Sequence, residues 1–179
     1  IGYQAADANT TANAITAIGA GALGANTTGA ENTALGSVAL KENTTGAYNT
    51  AVGRQSLMNN TTANLNTSVG YYSLFSNTTG ADNTAVGANA LDANTTGSYN
   101  TAIGTRALSA STGSSGSCAV GEDALMTMTS GTQNIAMGQS AMRLLTTGSY
   151  NIAIGANTIA SSHSGSNNTA VGHGAMNTN

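Results

Sequence analysis

A glycine that follows an aliphatic residue recurs every 17 residues along this 179-residue chain. Eleven such glycines, from Gly2 to Gly172, keep the spacing without an insertion. A fixed period is typical of stacked repeat arrays, whereas a disordered linker has no reason to keep register. The ten reference glycines that we expect to form a turn in each coil are Gly19, Gly36, Gly53, Gly70, Gly87, Gly104, Gly121, Gly138, Gly155 and Gly172.

Aligned on the reference glycine, the copies share the consensus N-T-A-[VI]-G-x-x-A-L-x-x-N-T-T-G-x-x. The position before the glycine (position −1) and the position four after it (position +4) are apolar in nearly every copy, so we predict two internal aliphatic ladders. The position −1 ladder is Ile18, Leu35, Val52, Val69, Val86, Ile103, Val120, Met137, Ile154 and Val171, and the position +4 ladder is Leu23, Leu40, Leu57, Leu74, Leu91, Leu108 and Leu125.

Asparagine dominates the position four before the glycine, where stacked side chains can bond one another and the turn backbone from coil to coil. This predicted ladder comprises Asn32, Asn49, Asn66, Asn83, Asn100, Asn134, Asn151 and Asn168. A second asparagine column, seven after the glycine, runs from Asn9 to Asn94 and then degrades.

The pattern favours strands over helices. Gly, Asn and Thr are unfavourable in helix interiors, and apolar positions five and then twelve apart match no 3.6-residue stripe. Two short extended runs per coil, around N-T-A-V and around A-L, fit better. We therefore predict an all-β fold, a parallel β-solenoid or β-roll of stacked 17-residue coils. Residues 1–179 form a single array of about ten and a half coils, which we interpret as a segment of a longer chain.

Each coil offers only about two large aliphatic residues, which is a thin core. An alanine stands beside each of them on the opposite strand face, and a strand that is apolar on both faces needs cover on both. The near-constant small residue also favours the close approach of another backbone. We therefore expect the chain's main partner to be itself, in a threefold or twofold homo-oligomer.

Tyrosine recurs on a slower rhythm, at Tyr48, Tyr99 and Tyr150, every third coil. Duplication of a three-coil block explains this spacing. Alternatively, the three side chains form a line of surface contacts about 14 Å apart for a ligand or partner. A single 51-residue turn is disfavoured, because Ala, Val and Leu are too small to fill so wide a lumen.

Composition excludes several function classes. Charged residues make up 6% of the chain, with four Lys+Arg against seven Asp+Glu, so no basic footprint for nucleic acid exists. One cysteine cannot make an internal disulfide framework or a multi-cysteine zinc site, and we interpret Cys118 as a small buried hydrophobe. No stretch approaches the roughly 18 apolar residues of a membrane span. The sequence presents no catalytic constellation, metal site or cofactor site, so we predict no enzyme.

The N-T-A-[VI]-G element followed by x-x-A-L resembles the head repeats of trimeric autotransporter adhesins. With N-T-T-G completing the period, it is also similar to repeats of phage and viral tail fibres. The match is best at 32–36, 49–53, 83–87, 100–104 and 168–172. The adhesin resemblance implies a left-handed roll, three chains per rod, and the residue before the glycine pointing into the core. The period is longer than that of the adhesin repeat, and Thr replaces its second inward Val.

The resulting functional expectation is a structural and adhesive fibre segment, a tail-fibre or adhesin shaft or head that presents a rigid rod for surface attachment. Its location would be extracellular, on a cell surface or a virion, and its further partner a cell-surface receptor or glycan. Two alternatives stay open: a self-assembling extracellular filament subunit, and an ice-binding solenoid that uses the threonine column eight after the glycine. The threonines of that column have adjacent rather than alternate threonine neighbours, which disfavours the ice-binding alternative.

Overall fold

The computed structural model describes residues 1–177 and shows a parallel β-solenoid built from 17-residue coils. None of these residues is helical. Each coil contributes one strand of three residues. The strands are β1 (Thr16–Ile18), β2 (Thr33–Leu35), β3 (Thr50–Val52), β4 (Thr67–Val69), β5 (Thr84–Val86), β6 (Thr101–Ile103), β7 (Cys118–Val120), β8 (Ile135–Met137), β9 (Ile152–Ile154) and β10 (Thr169–Val171).

The ten strands form one parallel sheet in chain order. Each residue pairs with the residue 17 positions later, as in Thr50 with Thr67 and Val52 with Val69. At about 4.8 Å per coil, nine intervals make the sheet about 43 Å long. The predicted all-β parallel solenoid with a 17-residue coil is confirmed.

The second predicted strand, around A-L, is absent from the described coils, and that prediction is wrong. The leucine at position +4 has a left-handed backbone, with φ near 50° at Leu40 and Leu57. Position +2 is left-handed as well, as at Gln55. A strand alternates its side chains between two faces, but here the neighbours Ala39 and Leu40 are both fully buried. The left-handed residues therefore turn two successive side chains inward.

The core is a narrow column filled by the position +4 leucines and by two alanines per coil. The +4 leucines from Leu23 to Leu125 are completely buried. Ala51 of strand β3 and Ala39 of the turn segment are also completely buried. Serines replace these alanines at Ser56, after Gly53, and at Ser68, before Gly70, and Ser56 Oγ donates to Ser68 Oγ at 2.7 Å across the interior. The strands at positions −3 to −1 (the strand wall) and the segment at positions +1 to +5 (the turn wall) thus face each other across the core.

The prediction that the position −1 residues form an internal ladder is wrong. Ile18, Leu35, Met137 and Val171 are 42, 45, 43 and 67% exposed. Ile103 and Ile154 are also exposed, and Val52, Val69, Val86 and Val120 are half-buried. In a three-residue strand the outer two side chains share one face and the middle one takes the other. Because the middle alanine faces the core, the position −1 residue must face outward.

Two asparagine columns run along the interior. In the position −4 column, Asn66 Oδ1 accepts from the backbone N–H of Asn83 at 3.0 Å, and Asn66 Nδ2 donates to the Gly80 carbonyl at 2.9 Å. The same coil-to-coil acceptance links the other asparagines of this column, with Ser117 standing between Asn100 and Asn134. In the second column, Asn43 Nδ2 donates to Asn26 Oδ1 at 2.7 Å. These bonds satisfy buried polar groups that the short strands leave unpaired.

The reference glycines form the corner between the two walls. Gly53 has φ of 127°, and a Cβ added there would lie 2.5 Å from the carbonyl oxygen of Gly70 in the next coil. Both the backbone conformation and the coil-to-coil approach therefore require glycine at this corner. This explains why the 17-residue glycine period is unbroken.

Candidate functional site

The outer face of the β-sheet is a continuous, uncharged surface. Its side chains come from positions −3 and −1 of strands β1–β10, which are Thr, Cys or Ile and Val, Ile, Leu or Met. None of the thirty strand residues carries a charge. Since the parallel pairing is in register, the two columns are continuous over the whole sheet. We call this surface the sheet face.

Cys118 lies on the sheet face, at position −3 of β7, and is half-buried. Burial raises the pKa of its thiol. A raised pKa lowers the fraction of reactive thiolate at neutral pH. The side chain is thus a small apolar member of the threonine column, only partly buried, rather than a residue of the interior.

The three periodic tyrosines lie on the surface. Tyr48, Tyr99 and Tyr150 are 55, 70 and 57% exposed, and each has a left-handed backbone. The left-handed conformation holds these side chains at the turn before the strand, where the preceding coils carry Glu31, Asp82 and Gln133 in the same conformation. The tyrosines are therefore available for contacts, three coils apart.

The threonine column at position +8 is tied to the backbone. Thr27 Oγ1 donates to the Thr44 carbonyl at 3.0 Å, and Thr44 Oγ1 donates to the Thr61 carbonyl at 3.0 Å. Six further threonines of the column make the same bond. Because these hydroxyl protons are donated to backbone carbonyls of the next coil, the column does not offer free hydrogen-bond donors at the surface.

The opposite outer surface, at positions +1, +2 and +5, varies from coil to coil. We call it the variable wall. It carries all four basic residues, Lys41, Arg54, Arg106 and Arg143. Arg106 Nε bonds Asp123 Oδ1 at 2.7 Å, and this contact raises the pKa of Arg106. Because the strand wall and the turn wall face each other across the core, the variable wall and the sheet face point away from each other.

Three aromatic side chains gather on the variable wall in the coil of Gly70. The ring centroids of Tyr71 and Tyr72 are 4.4 Å apart, and those of Tyr72 and Phe75 are 4.7 Å apart. The Arg54 guanidinium lies 5.7 Å from the Tyr71 ring centroid, and its Nη1 is 3.4 Å from the tyrosine Oη. We call Arg54, Tyr71, Tyr72 and Phe75 the aromatic patch.

Sequence reasoning missed the variable wall, because it attended to what the copies share. The consensus positions without a preferred residue, written x, were the signal that could have revealed this wall. All four basic residues fall at three of these positions, together with four of the seven aromatic residues. Because the residues that depart from the repeat lie on one surface, that surface is the part of the rod that distinguishes one coil from another.

The cavities of the described chain are shallow. One depression of about 270 Å³ is lined by threonines, serines and glycines between Thr112 and Thr132. Another of about 260 Å³ lies between Gln4, Asp7 and Lys41. Within residues 1–177, no three His, Cys, Asp or Glu side chains are grouped so as to hold a metal ion. Over the same residues, there is no helix with the length and apolarity that a membrane crossing needs.

No known family, curated protein or solved structure matches this chain.

Proposed function

We propose that this chain is a structural and adhesive rod, a segment of an extracellular fibre or surface adhesin whose copies pack side by side through the sheet face. The observation that carries the proposal is the apolar column at position −1, which a single chain leaves exposed or half-buried over all ten strands. An exposed apolar stripe of this length marks an interaction surface.

A second copy of the chain fits this surface for two reasons. The sheet face is uncharged throughout, so two copies meet without repulsion. It is also periodic, so two copies aligned along the rod repeat the same contacts at every coil. The solenoid supplies stiffness, because backbone hydrogen bonds join every coil to the next.

The sheet face alone is a small interface. A face about 43 Å long and about 10 Å wide offers about 430 Å² per chain. Two such faces would bury about 900 Å² in total, below the roughly 1,200–2,000 Å² of stable interfaces, so the turns beside each strand must add contacts in the assembly. An arrangement of three left-handed rolls around an axis is what the resemblance to adhesin heads implies.

Sedimentation analysis of the wild type and two lysine variants tests the proposal. We expect the wild type to sediment as a particle of two or more chains of 17.5 kDa each. Val86→Lys places a charge on the sheet face and should shift the particle toward the monomer. Ala88→Lys is the matched control, because the same column of the variable wall already carries Arg54. A wild type that stays monomeric, or two variants that dissociate equally, would overturn the proposal.

The filament alternative predicts axial growth instead, with particles of unlimited length that Val86→Lys does not shorten. The ice-binding alternative is weakened by the position +8 hydroxyls, which donate to backbone carbonyls. A thermal-hysteresis measurement separates it from the fibre role.

A further inference from the structure

The aromatic patch interrupts the repeat at one height of the rod. The coil of Gly70 has aromatic residues at positions +1, +2 and +5, where the next coil has Ala88, Asn89 and Asp92. Phe75 is the only phenylalanine of the chain. The solenoid itself does not need these rings, because neighbouring coils form the same turns without them. The requirements of the coil therefore do not explain the three aromatic residues.

The rings form a shallow apolar surface that stays open to solvent. Tyr71 is 48% exposed, and Tyr72 and Phe75 are half-buried. Tyr72 packs against both other rings, with tilts of 59° and 34° between the planes. Such packing holds the rings in place before any ligand arrives, which lowers the entropy cost of binding.

Polar groups flank the rings on both sides along the rod. Arg54 lies beside Tyr71 and makes no ion pair within residues 1–177. Gln55 occupies the place of Tyr72 one coil earlier, and Asp92 the place of Phe75 one coil later. Gln55 Oε1 and Asp92 Oδ1 have no hydrogen-bond partner in the described chain, whereas Asp92 Oδ2 accepts from Asn89 Nδ2 at 3.3 Å. A ligand hydroxyl that reaches either of the two free oxygens would supply a donor.

We propose that the aromatic patch binds a pyranose sugar of a glycan. The C–H groups on one face of a pyranose ring pack on aromatic rings, while its hydroxyls point outward and donate or accept hydrogen bonds. The rings supply the first contact and Arg54 a donor. Gln55 and Asp92 supply acceptors after rotation of their half-buried side chains. An aromatic surface with a few polar groups around it is the usual make-up of a small-molecule site.

A glycan fits better than other partners of an adhesive rod. Nucleic acid needs a basic surface, and the chain has a net charge of −3. A large apolar partner would need a deep or extended groove, whereas the patch spans one coil. The sugar site deepens the adhesive role proposed above and rests on that role only for the biological source of the sugar. Binding itself does not depend on how the rods pack, because the patch lies on the wall away from the sheet face.

Saturation-transfer NMR with methyl glucoside, methyl galactoside, methyl mannoside, N-acetylglucosamine and N-acetylneuraminic acid tests the site. Each sugar is titrated against the full chain, and the ring protons of the six tyrosines are followed. We expect at least one sugar to receive saturation and to shift the Tyr71 and Tyr72 signals, with a Kd about millimolar, as suits a shallow site.

The repeat itself provides variants that fold. Tyr71→Ala, Tyr72→Asn and Phe75→Ser introduce residues that the same columns carry at Ala88, Asn89 and Ser109. The combined variant should weaken the bound sugar at least about tenfold, since aromatic anchors dominate such contacts. Tyr99→Ala removes an exposed tyrosine elsewhere on the rod and should leave binding unchanged.

Three results would overturn the proposal: no sugar of the panel binds, the combined variant binds as the wild type does, or Tyr99→Ala abolishes binding. Binding of a tyrosine- or proline-containing peptide at the patch, with no sugar bound, would also overturn it. None of these results bears on sedimentation, so failure of the sugar site and failure of the rod proposal are distinguishable.

Discussion

Replacing Asn66 by alanine tests the asparagine column that runs through the core. The side chain makes three bonds: Nδ2 donates to the Gly80 carbonyl at 2.9 Å, and Oδ1 accepts from Asn83 N–H at 3.0 Å and Asn83 Nδ2 at 3.1 Å. After the change, the Gly80 carbonyl still accepts from Asn77, and Asn83 Nδ2 still donates to Gly97. The buried backbone N–H of Asn83 loses its acceptor.

The magnitude follows from that orphaned group. A buried N–H without a partner costs about 1–3 kcal/mol, and the lost amide bond to Gly80 adds about 1 kcal/mol. We therefore expect Asn66→Ala to lower the free energy of unfolding by about 2–4 kcal/mol. Because stacked repeats open locally, the amide of Asn83 should also exchange with solvent faster than in the wild type.

The assay combines guanidinium unfolding followed by circular dichroism with hydrogen exchange at the Asn83 amide. Asn66→Ser is the matched control, since Ser117 occupies this column naturally and its Oγ accepts from the Asn134 N–H at 3.3 Å. The serine variant should lose about 1 kcal/mol less than the alanine variant. If Asn66→Ala costs under about 1 kcal/mol and leaves Asn83 exchange unchanged, the column does not stabilise the coils as argued.

Three further predictions concern the glycine corner, the half-buried carboxyl of Asp92 and the sheet face. Gly53→Ala should lower the free energy of unfolding by about 3 kcal/mol or more. Gly113→Ala, whose Cβ would meet only Thr96 Oγ1 at 3.3 Å, should stay within about 1 kcal/mol of wild type. Equal losses in the two variants would contradict the corner geometry. Burial raises the pKa of Asp92, so its charged form destabilises the fold above that pKa and the cost disappears as pH falls through it. Asp92→Asn should therefore have a higher free energy of unfolding than wild type in guanidinium at neutral pH, and the same free energy at about pH 3. A difference in stability that persists in acid would be evidence against a raised pKa of Asp92. A short bis-maleimide should join Cys118 of two copies into a species of doubled mass on a denaturing gel, because parallel packing through the sheet face brings equivalent strands together. Val120→Lys should abolish the product, and wild type that stays uncross-linked would argue against parallel packing.

The sequence predicts the features of this fold that depend on period. A glycine every 17 residues requires equivalent residues to stack, and stacking imposes the parallel in-register pairing seen at Thr50 and Thr67. The leucine and asparagine columns follow from the same argument, because residues of one type that recur every 17 positions contact one another when the coils stack. These features needed no knowledge of the coil's path.

The direction in which side chains point could not be predicted. Assigning Val52 to the core assumed that the larger apolar residue faces inward, but Ala51 takes that place. The reason is the left-handed leucine, which turns both Ala39 and Leu40 into the interior and leaves room opposite only for a small side chain. Non-glycine residues adopt this conformation uncommonly, at a cost of about 1–2 kcal/mol, so no propensity indicates it.

The candidate site escaped prediction for a different reason. Tyr71, Tyr72 and Phe75 occupy consensus positions without a preferred residue, and their contact depends on the left-handed turn at Tyr72. The exchange of alanines for Ser56 and Ser68 was likewise visible only as separate substitutions. The structure joins them through one hydrogen bond across the core.

The most direct test of the rod proposal is the cross-section of the wild-type particle by electron cryomicroscopy. We expect a rod of at least about 43 Å in which several solenoids surround a common axis, with strands β1–β10 facing the axis and the variable wall facing outward. Isolated single solenoids with the sheet face open to solvent, or rods in which the variable wall lies at the axis, would contradict it.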